Sequence, residues 1–294
     1  MPKISFYSKI FLFTILLVFT VFSGQKLINH TTNYFGPNAN PVPDFTDATI
    51  PKFTEFSVYG DYYFGKGDET VNPYLKAEIP LISEKISVKV WAVPFEYYNV
   101  TDAVKERRGM QKNSGFASGD IYFQTRISIF KNQEKNTNLI LNATLKTASG
   151  SDFNNRRFFN TAGYYFDTEF GKSFILKNSF LNEIRLVADA GFYSWDVQTP
   201  NLNVQDDAVM YGLKLILKKN NFSWENTFSG YSGWIKRVPD YGDQPIVFAS
   251  KLNLKNKKNT YFIQYQNGIR YFPFNQIRIG ATFPLESLTP DFFK

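Results

Sequence analysis

From Phe53 to Leu285, apolar residues recur at every second position and no stretch after Gln25 keeps them at helical spacing, so the chain reads as strands whose two faces meet different surroundings. In the first such run Phe56, Val58, Gly60, Tyr62 and Phe64 alternate with Glu55, Ser57, Tyr59, Asp61 and Tyr63. Leu75–Leu81 and Ile86–Ala92 form a hairpin about Ser83-Glu84, with Lys76, Glu78, Ser87, Lys89 and Trp91 on the polar face. Ile121–Ile129 and Leu139–Leu145 set Asp120, Gln124, Arg126, Asn142 and Lys146 against their apolar positions. Runs near 162–170 and 184–192 do the same with Asp167, Glu169, Glu183, Arg185 and Asp189. Further strands are expected near 207–219, 221–234, 245–255, 259–271 and 275–285, the last three pointing Lys251, Asn253, Gln264, Gln266, Arg270, Arg278 and Thr282 inward. The total is about twelve, an even number as single-chain bacterial membrane barrels require.

The links support this independently, since barrels of the outer membrane have short periplasmic turns and longer external loops. Short links near 82–84, 131–137, 174–180, 219–221 and 255–259 alternate with longer ones near 99–117, 149–158, 195–207 and 235–245. Those near 65–70 and 272–275 are short on the outer side. The longest link holds Lys105-Glu106-Arg107-Arg108-Gly109-Met110, read either as a short helix capping the outer mouth or as an irregular surface loop.

Ahead of the strands, Lys3 and Lys9 precede an apolar run from Ile10 to Phe22 that is too short for a membrane span, and small residues follow it at Ser23-Gly24. Residues 1–24 are therefore an expected signal peptide, 25–52 a leader, 53–285 the barrel and 286–294 a tail. The leader carries Tyr34-Phe35-Gly36-Pro37-Asn38 and Pro41-Val42-Pro43, dense in turn formers. It is either a flexible periplasmic segment or a plug folded into the lumen, with Tyr34, Phe35 and Pro37 as the candidate plug residues.

Composition sharpens the picture. A mean hydropathy of -0.29 is too polar for a helical membrane protein, whereas 31 Phe and 18 Tyr suit a lipid-facing surface with aromatic girdles. Cysteine is absent, which removes disulfides, thiol nucleophiles and Cys-ligated metals. The net charge of +7 falls largely in the short turns, at Lys131, Lys135, Lys177, Lys218, Lys219, Lys255, Lys257 and Lys258. These face lipid head groups, envelope partners or simply solvent.

The inward faces supply the candidate lumen lining: Glu55, Asp61, Lys76, Glu78, Lys89, Asp120, Arg126, Lys146, Asp167, Glu169, Glu183, Arg185, Asp189, Lys214, Glu225, Lys251, Arg270 and Arg278. The two signs nearly cancel, which predicts either a weakly selective polar conduit or an ion-paired filled core. No catalytic, metal or cofactor site is expected. The single histidine, His30, lies in the leader with no adjacent nucleophile motif, and carboxylates at period two without His or Cys make a weak metal pattern.

Two stretches carry a resemblance. Ser114-Gly115-Phe116-Ala117-Ser118-Gly119-Asp120-Ile121-Tyr122-Phe123, followed by Leu139 to Gly150 with Lys146-Thr147-Ala148-Ser149-Gly150, resembles outer-membrane barrels assigned as transporters of the MetA pathway of phenol degradation. The match covers about a quarter of the chain, and the usual proline after the lysine is missing. The leader and the Ser23-Gly24-Gln25 region look more like exported barrels of Bacteroidetes. The resemblance implies a barrel in the outer membrane of a Gram-negative bacterium that passes small apolar or aromatic solutes, and the even strand count places both termini in the periplasm. The alternative is a closed accessory barrel docked to other envelope proteins. Nucleic acid is excluded as a partner by compartment.

Overall fold

The structure, a computed structural model, describes residues 35–290 except 83, 160, 178, 200, 201 and 235–242, and describes only the backbone of 196–199 and 202–205. The expected signal peptide, His30, Tyr34, Ser83 and the last residues of the tail lie outside the described residues.

Fourteen strand segments build one antiparallel sheet that closes on itself. They are β1 (Thr54–Gly65), β2 (Asp68–Ile82), β3 (Ile86–Ala92), β4 (Glu96–Val100), β5 (Ser114–Ala117), β6 (Ile121–Asn132), β7 (Thr137–Lys146), β8 (Gly163–Ile175), β9 (Glu183–Thr199), β10 (Leu202–Lys219), β11 (Phe222–Gly233), β12 (Ile246–Asn256), β13 (Asn259–Arg270) and β14 (Asn275–Leu285). β1 closes the ring against β14, from Thr54↔Leu285 to Phe64↔Asn275, so no edge is left unpaired there. As staves the segments make a barrel of twelve, because β3 with β4 and β5 with β6 are each one stave interrupted.

The interruptions have a chemical cause. Pro94 cannot donate to a ladder, and across the gap Gly119 N–H bonds to the Val93 carbonyl at 2.9 Å. On the β2 side the pairs Leu75↔Ala92 and Val71↔Tyr97 differ by one residue in register, so a bulge falls among Val93-Pro94-Phe95-Glu96. Inward positions therefore switch from Ser87 and Lys89 to Glu96 and Tyr98, while Phe95 and Tyr97 turn outward.

Between β4 and β5 lies the helix α1 (Asp102–Arg108), which settles the open reading of that link. Asp102 in its first turn, basic residues in its last and Gly109 at φ 63° closing Lys105 and Glu106 carbonyls are the expected helix terminators. The link near 195–207, expected as a long loop, is instead strand: β9 and β10 stay paired out to Thr199↔Leu202. Its polar residues still alternate with Val197 and Val204, and the ladder satisfies backbone groups that a free loop would leave to water.

The outer surface is apolar. Val58, Ile127, Leu141, Leu186, Leu213, Leu252, Ile263 and Ile279 are exposed along the middle of the staves. Aromatic side chains flank them, with Tyr62 stacked on Phe64 and Tyr97 beside Phe116 toward the loop end, and Phe130, Phe174, Phe222, Trp224 and Tyr261 toward the short-turn end. Leaving so many large apolar side chains in water forgoes roughly 1.5–3 kcal/mol each, so this face belongs in a bilayer. Ile279→Lys is expected to destabilise the folded barrel by about 2–4 kcal/mol, read from urea unfolding in lipid vesicles. An unchanged midpoint would mean that this face does not meet hydrocarbon.

Candidate functional site: the occupied lumen

Residues 35–52 form no strand; they run through the barrel from the loop end to the short-turn end. Phe35 and Ala39 pack into a cluster with Phe159, Tyr165, Tyr193, Trp195, Met210 and Tyr231. Further along, Phe45, Ala48 and Ile50 pack on Ile140, Val187 and Ile216. Gly212 marks the passage, because a Cβ there would run into the Phe45 ring. Phe35 and Pro37 are both buried.

Polar side chains of the wall hold this segment by its backbone. Glu169, 1% exposed, accepts from the amides of Thr46 and Ala48, each at 3.1 Å, and from the Thr46 hydroxyl. Arg126, fully buried, donates to the Thr49 carbonyl at 3.0 Å and to the Thr46 hydroxyl while pairing with Glu78 at 2.6 Å and Glu169 at 3.3 Å. Arg185 donates to the Asp47 carbonyl at 2.8 Å, and Lys214 to that of Phe45. At the loop end Tyr193 donates to Asn40, which donates to the Tyr231 hydroxyl, and Asn38 donates to Asn72 and Glu96.

A second charged network seals the loop end. Arg157, fully buried, donates to Glu96 at 2.6 Å and Thr70 at 2.8 Å and pairs with Asp68 at 3.1 Å, its guanidinium lying over the Tyr98 ring. Arg108 of α1 pairs with the same Asp68. The neighbouring Arg156 carbonyl accepts from Gly36 N–H, so the outer link containing 153–158 and the leader are one assembly. None of Asp68, Glu96, Arg108 or Arg157 was marked by the alternation. They sit at strand ends, in a helix and in a link, where period two gives no signal; the hints were Arg108 within the segment read as a capping helix or loop, and Arg156-Arg157 in a link otherwise poor in charge.

Beside the leader is a cavity of about 380 Å³. Of the residues expected to line a lumen, Glu55, Lys76, Glu78, Lys89, Asp120, Arg126, Lys214, Glu225, Lys251 and Arg278 face it. Asp61 lies behind Arg278 and pairs with it at 2.6 Å, and Lys146 pairs with Asp120 at 2.7 Å. Asp167, Glu169, Arg185 and Asp189 are buried in the wall on which the leader packs, and Glu183 is half-buried near the short turns, where it meets Lys218. Arg270 departs from the expected alternation. A bulge where Ile246 pairs Arg270 but Val247 pairs Gly268 leaves it exposed over the Tyr271 ring. Several turn lysines have local uses: Lys131 meets Glu84, Lys258 meets Glu286 and Lys219 lies over Phe180. No group of three or more potential metal ligands occurs among the described residues.

A closed antiparallel barrel with an apolar exterior and a polar, charged interior is a transmembrane β-barrel. Its fold is shared with an outer membrane channel from Pseudomonas putida F1, which aligns over 83% of this chain and 100% of its own at 12% identity and a TM-score of 0.56. Looser matches are the β domain of the Bordetella autotransporter BrkA (10% identity, TM-score 0.45, 81% and 100% covered) and the transport unit of the Escherichia coli autotransporter AIDA-I (9%, 0.44, 80% and 90%). No family profile and no curated protein of related sequence matches the chain.

Proposed function

We propose that this protein is a passive channel for small solutes in the outer membrane of a Gram-negative bacterium, with residues 25–52 as its plug. The observation that carries the reading is how the leader is held. Its described residues cross the lumen without joining the sheet, held by side-chain hydrogen bonds and two apolar clusters that leave a cavity alongside. A segment that completes no ladder is free to leave without unravelling the barrel, whereas the staves are fixed by continuous pairing. The strand ends Thr54 and Leu285 share the short-turn rim, which in this reading faces the periplasm, while Phe35 lies at the loop rim. The fold shared with the Pseudomonas putida outer membrane channel supports a channel, and the resemblance to phenol-pathway barrels favours small apolar or aromatic solutes. The protein performs no covalent chemistry in this role; lipid and the solute are its partners.

Planar-bilayer conductance of the refolded chain with and without residues 26–52 tests this. Rare or small openings from the full chain and steady openings after the deletion are expected. Silence from both forms, with folding verified by circular dichroism, would overturn the channel and favour a closed accessory barrel docked in a larger envelope assembly.

A further inference from the structure

The near-cancellation of inward charge in the sequence conceals an uneven distribution. Most wall carboxylates near the cavity are committed to cations of the wall: Asp61 to Arg278, Glu78 to Arg126 and Asp120 to Lys146. Glu225 stands across the ladder from Lys251 but takes its hydrogen bond from Asn253, at 2.7 Å. Glu55, beside Glu78 in the register, is toward the short-turn rim. Lys76 and Lys251 also face the cavity, and among the described residues neither forms an ion pair; each lies over a ring, of Tyr59 and Phe262 respectively.

Into this basic field the leader extends two carboxylates, Asp44 and Asp47, of which Asp47 accepts from the Thr49 hydroxyl of the leader itself. Asp44 has its side chain 77% exposed although it lies deep inside the barrel, so what it is exposed to is the cavity. Its closest cation is Lys214, at 3.8 Å, too long for a tight hydrogen bond. Lys214, Lys251, Arg278 and Lys76 line the same cavity as Asp44. They come from β10, β12, β14 and β2, alternate staves along one arc of the wall. The rest of the cavity wall is notably phenolic and indolic. Tyr59 and Tyr74 stack at 5.3 Å, as do Trp91 and Tyr122 at 5.0 Å, and all four line it.

We propose that the cavity is a binding site for a small aromatic carboxylate, and that Asp44 of the leader occupies the carboxylate position until solute replaces it. This rests on the channel reading and narrows its solute class. Cations gathered from several staves around one loosely held carboxylate provide the charge recognition, and the ring-lined wall provides a surface for a flat apolar body. A cavity of about 380 Å³ suits one such molecule. An internal carboxylate on a segment held by hydrogen bonds competes with solute for the same lysines, so solute binding and leader release are coupled by mass action.

Calorimetric titration of the full-length protein with benzoate, and with benzyl alcohol as the neutral probe, tests the assignment. Asp44→Asn is expected to bind benzoate about tenfold more tightly than the unaltered chain, with benzyl alcohol little changed. Lys251→Met, and separately Lys214→Met, are expected to weaken benzoate several-fold. Lys251→Met keeps the test valid if Lys214, which also holds the Phe45 carbonyl, proves necessary for folding. Equal or weaker benzoate binding by Asp44→Asn, or an equal gain for benzyl alcohol, would overturn the carboxylate site. Steady conductance of the leader-deleted form without benzoate preference in titration would sink this site and leave the channel standing. Benzoate binding by a barrel that never conducts would do the reverse.

Discussion

Arg126→Met is expected to free the leader from the lumen and to destabilise the folded chain by about 3–5 kcal/mol, the usual cost of removing one partner from a buried ion-pair network. The arginine joins two carboxylates of different staves, Glu78 on β2 and Glu169 on β8, to the leader at Thr46 and Thr49. Without it, Glu169 keeps its bonds from Thr46, Ala48 and Asn142 but has lost its cation. Glu78 keeps Ser87 and has Lys89 opposite it in the ladder, which places the effect toward the lower end of the range. Amide exchange at Thr46 and Ala48, whose N–H groups end on Glu169, should rise by orders of magnitude while the mid-strand amides of β13 and β14 stay protected. Arg126→Lys retains charge but not the planar fork that serves five acceptors, Asn142 among them, so it should fall between. If the two leader amides exchange as slowly as before, the plug is held elsewhere and the assignment of Arg126 as its latch fails.

The second large effect is expected at the loop end. Arg157→Met removes the only described cation in hydrogen-bond contact with Glu96 and leaves Arg108 alone with Asp68. Glu96 and Asp68 are both essentially fully buried, so the loss should again be about 3–5 kcal/mol, localised to the outer assembly rather than the staves. The link carrying Phe158 and Phe159 should lift from the mouth, taking with it the contact between Phe35 and Phe159, whose ring centres are 4.2 Å apart. Limited proteolysis would then cut within 147–162 faster, and the full-length chain would open more often in a bilayer. Glu96→Gln, which keeps a hydrogen-bond acceptor and leaves Arg157 its pair with Asp68, should do less. Equal protease resistance of Arg157→Met and the parent would show that the outer link is fixed by its aromatic packing, not by its charges.

These two arginines differ in how they can be found. Arg126 lies mid-strand, and its inward direction follows from Ile121, Phe123, Thr125 and Ile127 around it. Nothing in that pattern says that it reaches Thr49, a residue 77 positions earlier in an irregular segment. Arg157 has no periodic neighbours at all, and its partners come from β2 and β4. Glu96 faces it only because the bulge at Pro94 reverses the alternation begun in β3.

The sequence by itself determined the staves: alternation in β1 points Ser57, Tyr59, Asp61 and Tyr63 inward, and they are buried, because a strand between hydrocarbon and a polar interior must repeat every two residues. It also determined the twelve-stave antiparallel order, since each short turn and longer link punctuates that repeat. Where the leader lies was left open, because its prolines and asparagines exclude strand without specifying a partner. Tertiary structure alone decided that placement, along with the re-aimed Glu96, the outward Arg270 and the cations gathered around Asp44. The leader's placement and the cations around Asp44 depend on which staves face one another once β1 meets β14, a property of the whole sheet that no local repeat records, while Glu96 and Arg270 are turned by bulges set in the pairing of neighbouring staves.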